Sequence, residues 1–244
     1  MSHSQIIFSP AGTSILERTV GELVAERPGR SRIFQAANID FCCQGSRTLR
    51  EACLSKEIAA EPLVEQLEAE LAEKTTPALN PAELPPDELI SYIVAAHHDY
   101  LRRELPRLHT MCERVAQVHG GHTPSLVEVF QVYSAMANEL NSHILKEEQI
   151  LFPAIAALSR NESIPLSLDG PISCMMQEHE DAGAALARMR ELTRGFQTPA
   201  DACNTYRALF AGLHELEEDL HRHIHLENSV LFPVAQGMVA SART

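Results

Sequence analysis

Two copies of one pattern carry the residues whose types and spacing suit metal binding. Residues 143–153 and 223–233 both read His-Ile-x-x-Glu-x-x-x-Leu-Phe-Pro, and the copies begin 80 residues apart. On an α-helix, a His and a Glu four positions apart lie on one face, about 6 Å apart along the axis. Imidazoles and carboxylates that converge in a helical bundle are typical ligands of transition metals. Each copy therefore predicts one His and one Glu ligand.

Two further histidines interrupt apolar helical stripes upstream of the two copies. His98 follows Val94 and precedes Leu101 on one stripe, and His179 lies on another stripe 81 positions later. The adjacent His97 falls on the flank of its helix, so the stripe favours His98. Since 81 is almost the same offset as 80, the sequence predicts a duplicated helical pair in which each pair supplies two histidines and one glutamate.

The predicted centre has six ligands. A single histidine among leucines is more often a hydrogen-bonded core residue, but six buried polar groups would each cost roughly 1–3 kcal/mol if they stayed unpaired. Six ligands are too many for one tetrahedral zinc ion. Two ions that share both glutamates and an exogenous oxo or hydroxo group suit iron or manganese better. The predicted ligands are His98, His143, Glu147, His179, His223 and Glu227.

Other polar residues near these ligands allow two interpretations. Glu139, Asp219 and Glu178 are candidates to accept hydrogen bonds from ligand imidazoles, or they are solvated carboxylates. His221 and His225 bracket His223, but only His223 keeps the eight-residue spacing to Leu-Phe-Pro that the first copy shows.

The helical patterns and their breaks predict an all-α protein with two domains. Residues 14–76 contain short apolar stripes typical of a small helical domain, and residues 77–86 contain four prolines typical of a linker. Residues 87–240 contain four long stripes separated by segments rich in Gly and Pro. These four helices predict an antiparallel four-helix bundle.

The small domain contains adjacent cysteines, Cys42 and Cys43, after Asp40 and Phe41. They are either structural thiols without chemistry or a redox or metal-handling pair. The spacing alone does not decide between these interpretations.

Composition excludes several classes of function. The net charge of −13 argues against binding to nucleic acid or to an anionic membrane surface. The chain has no apolar run of the ~20 residues that a membrane span needs, and residues 1–10 do not resemble a signal peptide. We therefore expect a cytoplasmic protein whose six cysteines are reduced.

With these residues in place, the chain resembles the repair-of-iron-centres family, the hemerythrin-like di-iron proteins of the YtfE/ScdA/DnrN/NorA type. The resemblance covers roughly residues 14–240 and includes Asp40-Phe41-Cys42-Cys43-x-Gly45, Glu178-His179 and both Leu-Phe-Pro copies. It implies a hemerythrin-like bundle that holds two bridged irons through the six ligands above, with Cys42 and Cys43 as the cysteine pair of the family. One departure is Leu101, where some relatives have a polar residue.

The resemblance implies a cytoplasmic, often homodimeric protein that helps to restore iron–sulfur clusters damaged by nitrosative or oxidative stress. It would do so by supplying labile iron or by clearing nitric oxide. Its partners would then be nitric oxide or another small diatomic molecule and the damaged iron–sulfur proteins. The alternatives are a protein that sequesters or senses nitric oxide, an enzyme that reduces nitric oxide to nitrous oxide, and, last, a purely structural bundle.

Overall fold

The computed structural model describes residues 14–72, 80–164 and 167–242, and the chain divides between Asn80 and Pro81 into two compact units. The described residues are mostly helical, and the predicted all-α class is confirmed. Residues 77–79 of the predicted linker lie outside the described residues, whereas Pro81–Glu83 form a short 3-10 helix and a longer helix begins at Pro86. No helix in the described part of the chain is long and apolar enough to cross a membrane.

The first unit contains four short α-helices. Two of them begin with a capping box, in which Thr19 pairs with Glu22 and Thr48 pairs with Glu51, so that each helix start has its amide groups satisfied. The backbones of Thr19 and Thr48 also form an isolated antiparallel bridge. The helices are α1 (Val20–Glu26), α2 (Arg30–Ala36), α3 (Leu49–Ser55) and α4 (Ala60–Ala72).

The core of this unit includes Leu23, Phe34, Leu49 and Leu67, all fully buried. Arg30 is buried with them, and its guanidinium donates to the Leu23 carbonyl and to the Glu26 carboxylate. A buried guanidinium is tolerated only when it is paired in this way. The segment between α2 and α3, which carries Cys42 and Cys43, is thus anchored at both ends by packed helices.

The second unit is a four-helix bundle with three shorter helices at one end. The long helices α6, α7, α9 and α10 form a closed ring, in which α6 and α9 each pack against α7 and α10. The shorter α5, α8 and α11 pack beside one another at the same end. The helices are α5 (Pro86–Ile93), α6 (Asp99–His119), α7 (Ser125–Lys146), α8 (Phe152–Ser159), α9 (Asp169–Leu192), α10 (Asn204–Leu226) and α11 (Phe232–Ala242).

Three π-helical segments connect these helices: Val94–His98, Glu147–Leu151 and Glu227–Leu231. The sequence predicts uninterrupted helices over about residues 125–158 and 200–239, with at most a kink at Pro153. The structure corrects this prediction, because a π-helical segment interrupts each of the two helices. Pro153 and Pro233 lie two residues after the last two segments. Because proline donates no backbone hydrogen bond and clashes with the carbonyl four residues earlier, it favours a wider turn before it.

The first π-helical segment shifts the buried face of its helix by one residue. Counting back in fours from His98 predicts that Ile90 and Val94 face the core. Instead Leu89 and Ile93 are buried, at 1% and 0% exposure, and the two predicted residues are half-buried. A π-turn contains one residue more than an α-turn, so a count that assumes regular geometry fails upstream of it.

Two apolar clusters fill the bundle on either side of a polar layer. One cluster lies among α6, α7, α9 and α10, and the other includes residues of α5, α8 and α11. His98 lies between Ile93 of one cluster and Leu101 of the other, and His179 lies in the same way between Met175 and Ala182. The predicted ligands therefore occupy a layer with packed hydrocarbon above and below it.

Candidate metal centre

All six predicted ligands converge in this layer. His98 ends a π-helical segment, His179 lies within α9, and each His-x-x-x-Glu pair spans the end of a long helix and the start of the π-segment after it. None of the six is more than 2% exposed. Six polar residues that are buried so completely need hydrogen-bond or metal partners within the protein, because water does not reach them.

The side chains form two overlapping sets of four, in each of which the ligand atoms lie within 4.8 Å of one another. One set contains His98 and His223, and the other contains His143 and His179. Glu147 and Glu227 belong to both sets. This is the arrangement that two ions bridged by two carboxylates would require.

The imidazoles in each set present their Nε2 atoms to each other. The distance from His98 Nε2 to His223 Nε2 is 3.1 Å, and that from His143 Nε2 to His179 Nε2 is also 3.1 Å. Two nitrogens bound to one metal at about 2.1 Å are roughly 3.0–3.4 Å apart for ordinary coordination angles. The nitrogen atoms of each pair are therefore already at the separation of ligands on a shared ion.

The carboxylates lie within reach of the same nitrogens. Glu227 approaches His223 Nε2 at 3.0 Å and His179 Nε2 at 3.1 Å. Glu147 approaches His143 Nε2 at 3.3 Å and His98 Nε2 at 3.4 Å. Among the described residues, the two oxygens of Glu147 and Oε2 of Glu227 make no hydrogen bond of normal geometry, so their approaches to these nitrogens are charge contacts.

Unpaired carboxylate oxygens in a dry layer are costly, since removing a charged group from water without a partner is strongly unfavourable. Divalent cations held in the two sets would satisfy these oxygens, and each cation would also be bound by the two imidazole nitrogens of its set. The residues present therefore fit a metal centre, and the donor set, with nitrogen and oxygen but no sulfur, suits iron.

Three of the four imidazoles are oriented from behind through Nδ1. Glu148 lies 2.7 Å from Nδ1 of His98, and Glu178 lies 2.9 Å from Nδ1 of His143. The amide oxygen of Asn228 lies 2.9 Å from Nδ1 of His179. An acceptor at Nδ1 places the proton there and leaves Nε2 free to bind a metal.

His223 is positioned differently. Within the described part of the chain its Nδ1 has no hydrogen-bond partner. Its ring instead stacks on His97, with centroids 5.3 Å apart and planes 3° apart. Nδ1 of His97 is held in turn by Asp219 at 2.9 Å. The His223 ring is thus fixed by packing, whereas the other three rings are fixed by hydrogen bonds.

The Phe residues of the two Leu-Phe-Pro copies stack on the two ligand histidines that lie outside the copies. Phe152 stacks on His98 at 5.6 Å with planes 14° apart, and Phe232 stacks on His179 at 6.0 Å with planes 1° apart. Each repeat therefore supplies a glutamate to the centre, a phenylalanine against the neighbouring helix's histidine and a proline that favours the intervening π-turn. This accounts for the length of the repeated pattern.

The buried charges shift one another's protonation. Burial opposes ionisation of Glu227, but the His223 and His179 imidazoles outweigh it and hold its pKa well below the usual value. Burial acts to lower the pKa of His143, but Glu147 and the other carboxylates raise it to about 9. For His223 burial prevails, and its pKa is lowered. Burial and the charge of Glu227 likewise oppose ionisation of Glu147, but the His143 and His98 imidazoles outweigh them and lower its pKa. Both glutamates are therefore anionic, and without a cation their charge is balanced by protons on imidazole.

Of the carboxylates predicted to orient ligands, Glu178 does so, whereas Asp219 holds His97 and contacts no predicted ligand through a hydrogen bond. Glu139 is exposed and belongs to neither set, which agrees with the second interpretation, a solvated carboxylate. Sequence reasoning missed Glu148 and Asn228. Each directly follows a predicted glutamate ligand, so comparing the two repeats position by position could have found them.

The two cysteines of the first unit lie next to each other and are not joined in a disulfide; Cys42 is buried and Cys43 is half-buried. Their Sγ atoms are 3.8 Å apart, and Asp40 lies beside them. Asp40 completes a group of three metal-ligating side chains that the sequence analysis did not identify as such.

Comparison with known proteins matches both units. Residues 89–235 match the hemerythrin HHE cation binding domain, and residues 16–71 match ScdA_N, a domain of unknown function. The iron-sulfur cluster repair protein YtfE of Pectobacterium carotovorum subsp. carotovorum is 39% identical over 219 residues, which are 90% of this chain and 96% of that protein.

Two other relatives show the same extent of similarity. YtfE of Edwardsiella ictaluri is 40% identical over 223 residues, or 91% of this chain and 98% of the relative. The iron-sulfur cluster repair protein ScdA of Staphylococcus haemolyticus is 36% identical over 216 residues, or 88% of this chain and 96% of the relative. With a cation-binding bundle, an ScdA_N domain and relatives matched over nearly their whole length, this chain belongs to the YtfE/ScdA family of hemerythrin-domain proteins.

Proposed function

We propose that this protein repairs iron–sulfur clusters damaged by nitrosative or oxidative stress, and that it does so by supplying iron from a di-iron centre in its bundle. The ligands would be His98, His143, Glu147, His179, His223 and Glu227. The observation that carries the proposal is that two sets of four ligands share two buried glutamates with unpaired oxygens. The relatives named as iron-sulfur cluster repair proteins support the cellular role.

Iron bound in this layer would supply both Fe²⁺ for rebuilding a cluster and coordination positions for a small ligand. The residues of the chain hold the imidazoles in the metal-binding tautomer, because Glu148, Glu178 and Asn228 each accept the Nδ1 proton of a ligand. Stacked phenylalanines and the two apolar clusters exclude water and large molecules from the layer.

Release of iron needs a route for protons and for the ion. Glu148 and Glu178 are the first polar residues outside the layer, and their side chains are 25% and 27% exposed. Each also pairs with a more exposed cation, Arg102 or Lys146. We infer that opening these surface ion pairs exposes the ligand imidazoles to protons, which would weaken metal binding.

The proposal extends to location and partners. The family resemblance supports a cytoplasmic homodimer whose clients are damaged iron–sulfur proteins. The burial of all six ligands supports a ligand as small as nitric oxide. We infer that nitric oxide binds at the irons. If it is only held there, the alternative function is sequestration; if it is converted to nitrous oxide, the alternative function is that of a reductase.

The test uses full-length protein purified without oxygen. We expect about two irons per chain, and fewer than one would contradict the di-iron centre. When the iron-loaded protein is mixed with a [4Fe–4S] dehydratase inactivated by nitric oxide, the dehydratase should regain activity as the donor loses iron. The matched control is Glu227→Ala, which should be iron-depleted and inactive in the assay.

The same samples titrated with nitric oxide separate the alternatives. Formation of a stoichiometric iron nitrosyl without iron loss or reactivation would favour sequestration. Nitrous oxide formed over several turnovers with an added reductant would favour a reductase. Either result, without transfer of iron, would overturn the proposal of iron supply.

A further inference from the structure

A second group of metal-ligating side chains lies in the first unit, outside the bundle centre. Asp40, Cys42 and Cys43 lie between α2 and α3 with their ligand atoms within 4.8 Å of one another. Oδ1 of Asp40 accepts hydrogen bonds from the backbone amides of Cys42 and Cys43 at 3.0 and 2.9 Å. These two bonds fix the carboxylate against the thiols, so the group is organised before any ligand binds.

The distances within the group suit coordination. The two Sγ atoms are 3.8 Å apart. Two thiolates on a tetrahedral ion with metal–sulfur bonds of about 2.3 Å are separated by about 3.8 Å. The sulfur of Cys42 is 3.1 Å from Oδ1 of Asp40, somewhat under the roughly 3.5 Å expected for sulfur and oxygen on one such ion. A small movement of the carboxylate would complete the geometry.

We propose that Asp40, Cys42 and Cys43 bind one thiophilic divalent cation, Zn²⁺ or Fe²⁺. Two thiolates favour such ions over Mg²⁺ or Ca²⁺. Structural zinc sites usually have four protein ligands, so a group of three is more typical of a site whose ion stays accessible.

Binding would displace protons in a defined way. The Cys43 thiol, burial and the Asp40 carboxylate raise the pKa of Cys42 well above its usual value, so the Cys42 thiol is protonated in the metal-free protein. Each metal–sulfur bond that forms replaces a sulfur–hydrogen bond, and one proton per cysteine goes to solvent. One divalent ion therefore releases two protons, and binding should weaken as the pH falls.

The Asp40 side of the group borders a cavity of about 260 Å³, whose lining includes Arg47 and Lys56 but neither cysteine. The two cations would favour an anionic exogenous ligand over a neutral one. Asp40 is exposed and Cys43 is half-buried, so an ion has access to the group from solvent.

The experiment titrates Co²⁺ into reduced, full-length protein whose bundle centre is already loaded with iron. Thiolate-to-cobalt charge-transfer absorption should saturate at one Co²⁺ per chain, with release of two protons. The bundle ligands contain no sulfur, so exchange of Co²⁺ into that centre cannot produce this band. Zn²⁺ added afterwards should bleach it by competition.

Matched variants assign the band to residues. The double substitution Cys42→Ser/Cys43→Ser should abolish it, and Asp40→Asn, which keeps an oxygen for the backbone amides, should weaken Co²⁺ binding about tenfold or more. Cys174→Ser and Cys203→Ser, which remove the exposed thiols, should leave it unchanged. Iron content and circular dichroism should be the same for all variants, which excludes unfolding as the cause.

Absence of the band in the reduced wild-type protein would overturn the proposal, and so would its survival in the double variant. Neither result bears on iron supply by the bundle, because the titration contains no damaged client. Conversely, a failed reactivation assay would leave the cobalt result intact.

Discussion

The two halves of the bundle, residues 86–159 and 169–242, are alike at the metal layer and different just outside it. Both supply a single His, a His-x-x-x-Glu pair followed by a π-turn, and a stacking Phe, although the first half has a second π-turn that ends at His98. Outside the layer, Glu148 of the first half corresponds to Asn228 of the second, and Glu178 corresponds by its place in the repeat to His97. The inner residues are constrained by metal geometry, and the outer ones are free to diverge.

The divergence places charge unevenly. Both histidines of the first half, His98 and His143, have a carboxylate at Nδ1. Those of the second half have an amide at His179 and a stacked ring at His223. A carboxylate at Nδ1 makes Nε2 a stronger donor than an amide does. The histidines of the first half are therefore stronger metal donors than those of the second half. The two sets of four remain similar, because each set combines one histidine from each half.

The largest effect should come from the ligands that the two sets share. Glu227→Ala removes a member of both sets, so we expect iron content to fall from about two to well below one per chain. His179→Ala removes a member of one set only and should leave about one iron. Elemental analysis of anaerobically purified protein measures both. Equal iron loss in the two variants would show that the sets do not act as two sites.

A smaller effect should distinguish the outer partners. Glu148→Gln replaces the charged acceptor behind His98 by an amide, as in the second half, and should weaken iron binding about tenfold. Asn228→Asp makes the reverse change behind His179 and should strengthen iron binding several-fold. Competition with a chelator at fixed pH measures both. If both substitutions weaken iron binding, each acceptor is required at its own position, and the charge of the acceptor does not determine how strongly the histidine binds iron.

The smallest effect concerns the feature that the halves share most closely. Phe152→Leu and Phe232→Leu each remove a ring stacked on a ligand histidine while keeping an apolar side chain. We expect each to lower the free energy of unfolding by about 0.5–1.5 kcal/mol. Denaturant unfolding of the iron-loaded protein measures this. The two losses should be similar, and a loss confined to one half would break the symmetry inferred for the layer.

Much of the site was accessible from the sequence because ligand chemistry imposes strict spacing. Two His-x-x-x-Glu pairs with equal distances to Leu-Phe-Pro, and two histidines at nearly the same offset, predict the six residues that converge. The all-α class follows in the same way from apolar stripes and breaker-rich loops. Periodic patterns of this kind depend on helix geometry alone, which the sequence encodes locally.

Only the tertiary structure decided which residues lie behind the ligands. Glu139 and Asp219 each lie four residues, about one helical turn, before a ligand histidine, yet Glu139 is exposed and Asp219 holds His97. The π-turns likewise depend on backbone hydrogen bonding that no residue count reveals, and one of them moves the buried face from Ile90 to Leu89. Contacts between helices depend on rotation and register, which are set by packing of the whole bundle.

The repeated His-x-x-x-Glu pattern and the packing around it each determine a different property of the site. The types and spacing of His143, Glu147 and their copies determined that a polar layer must exist, because those groups cannot be buried alone. The packing of four helices determined that the layer is two sets sharing two glutamates, since only a closed bundle brings side chains from α7 and α10 to one point.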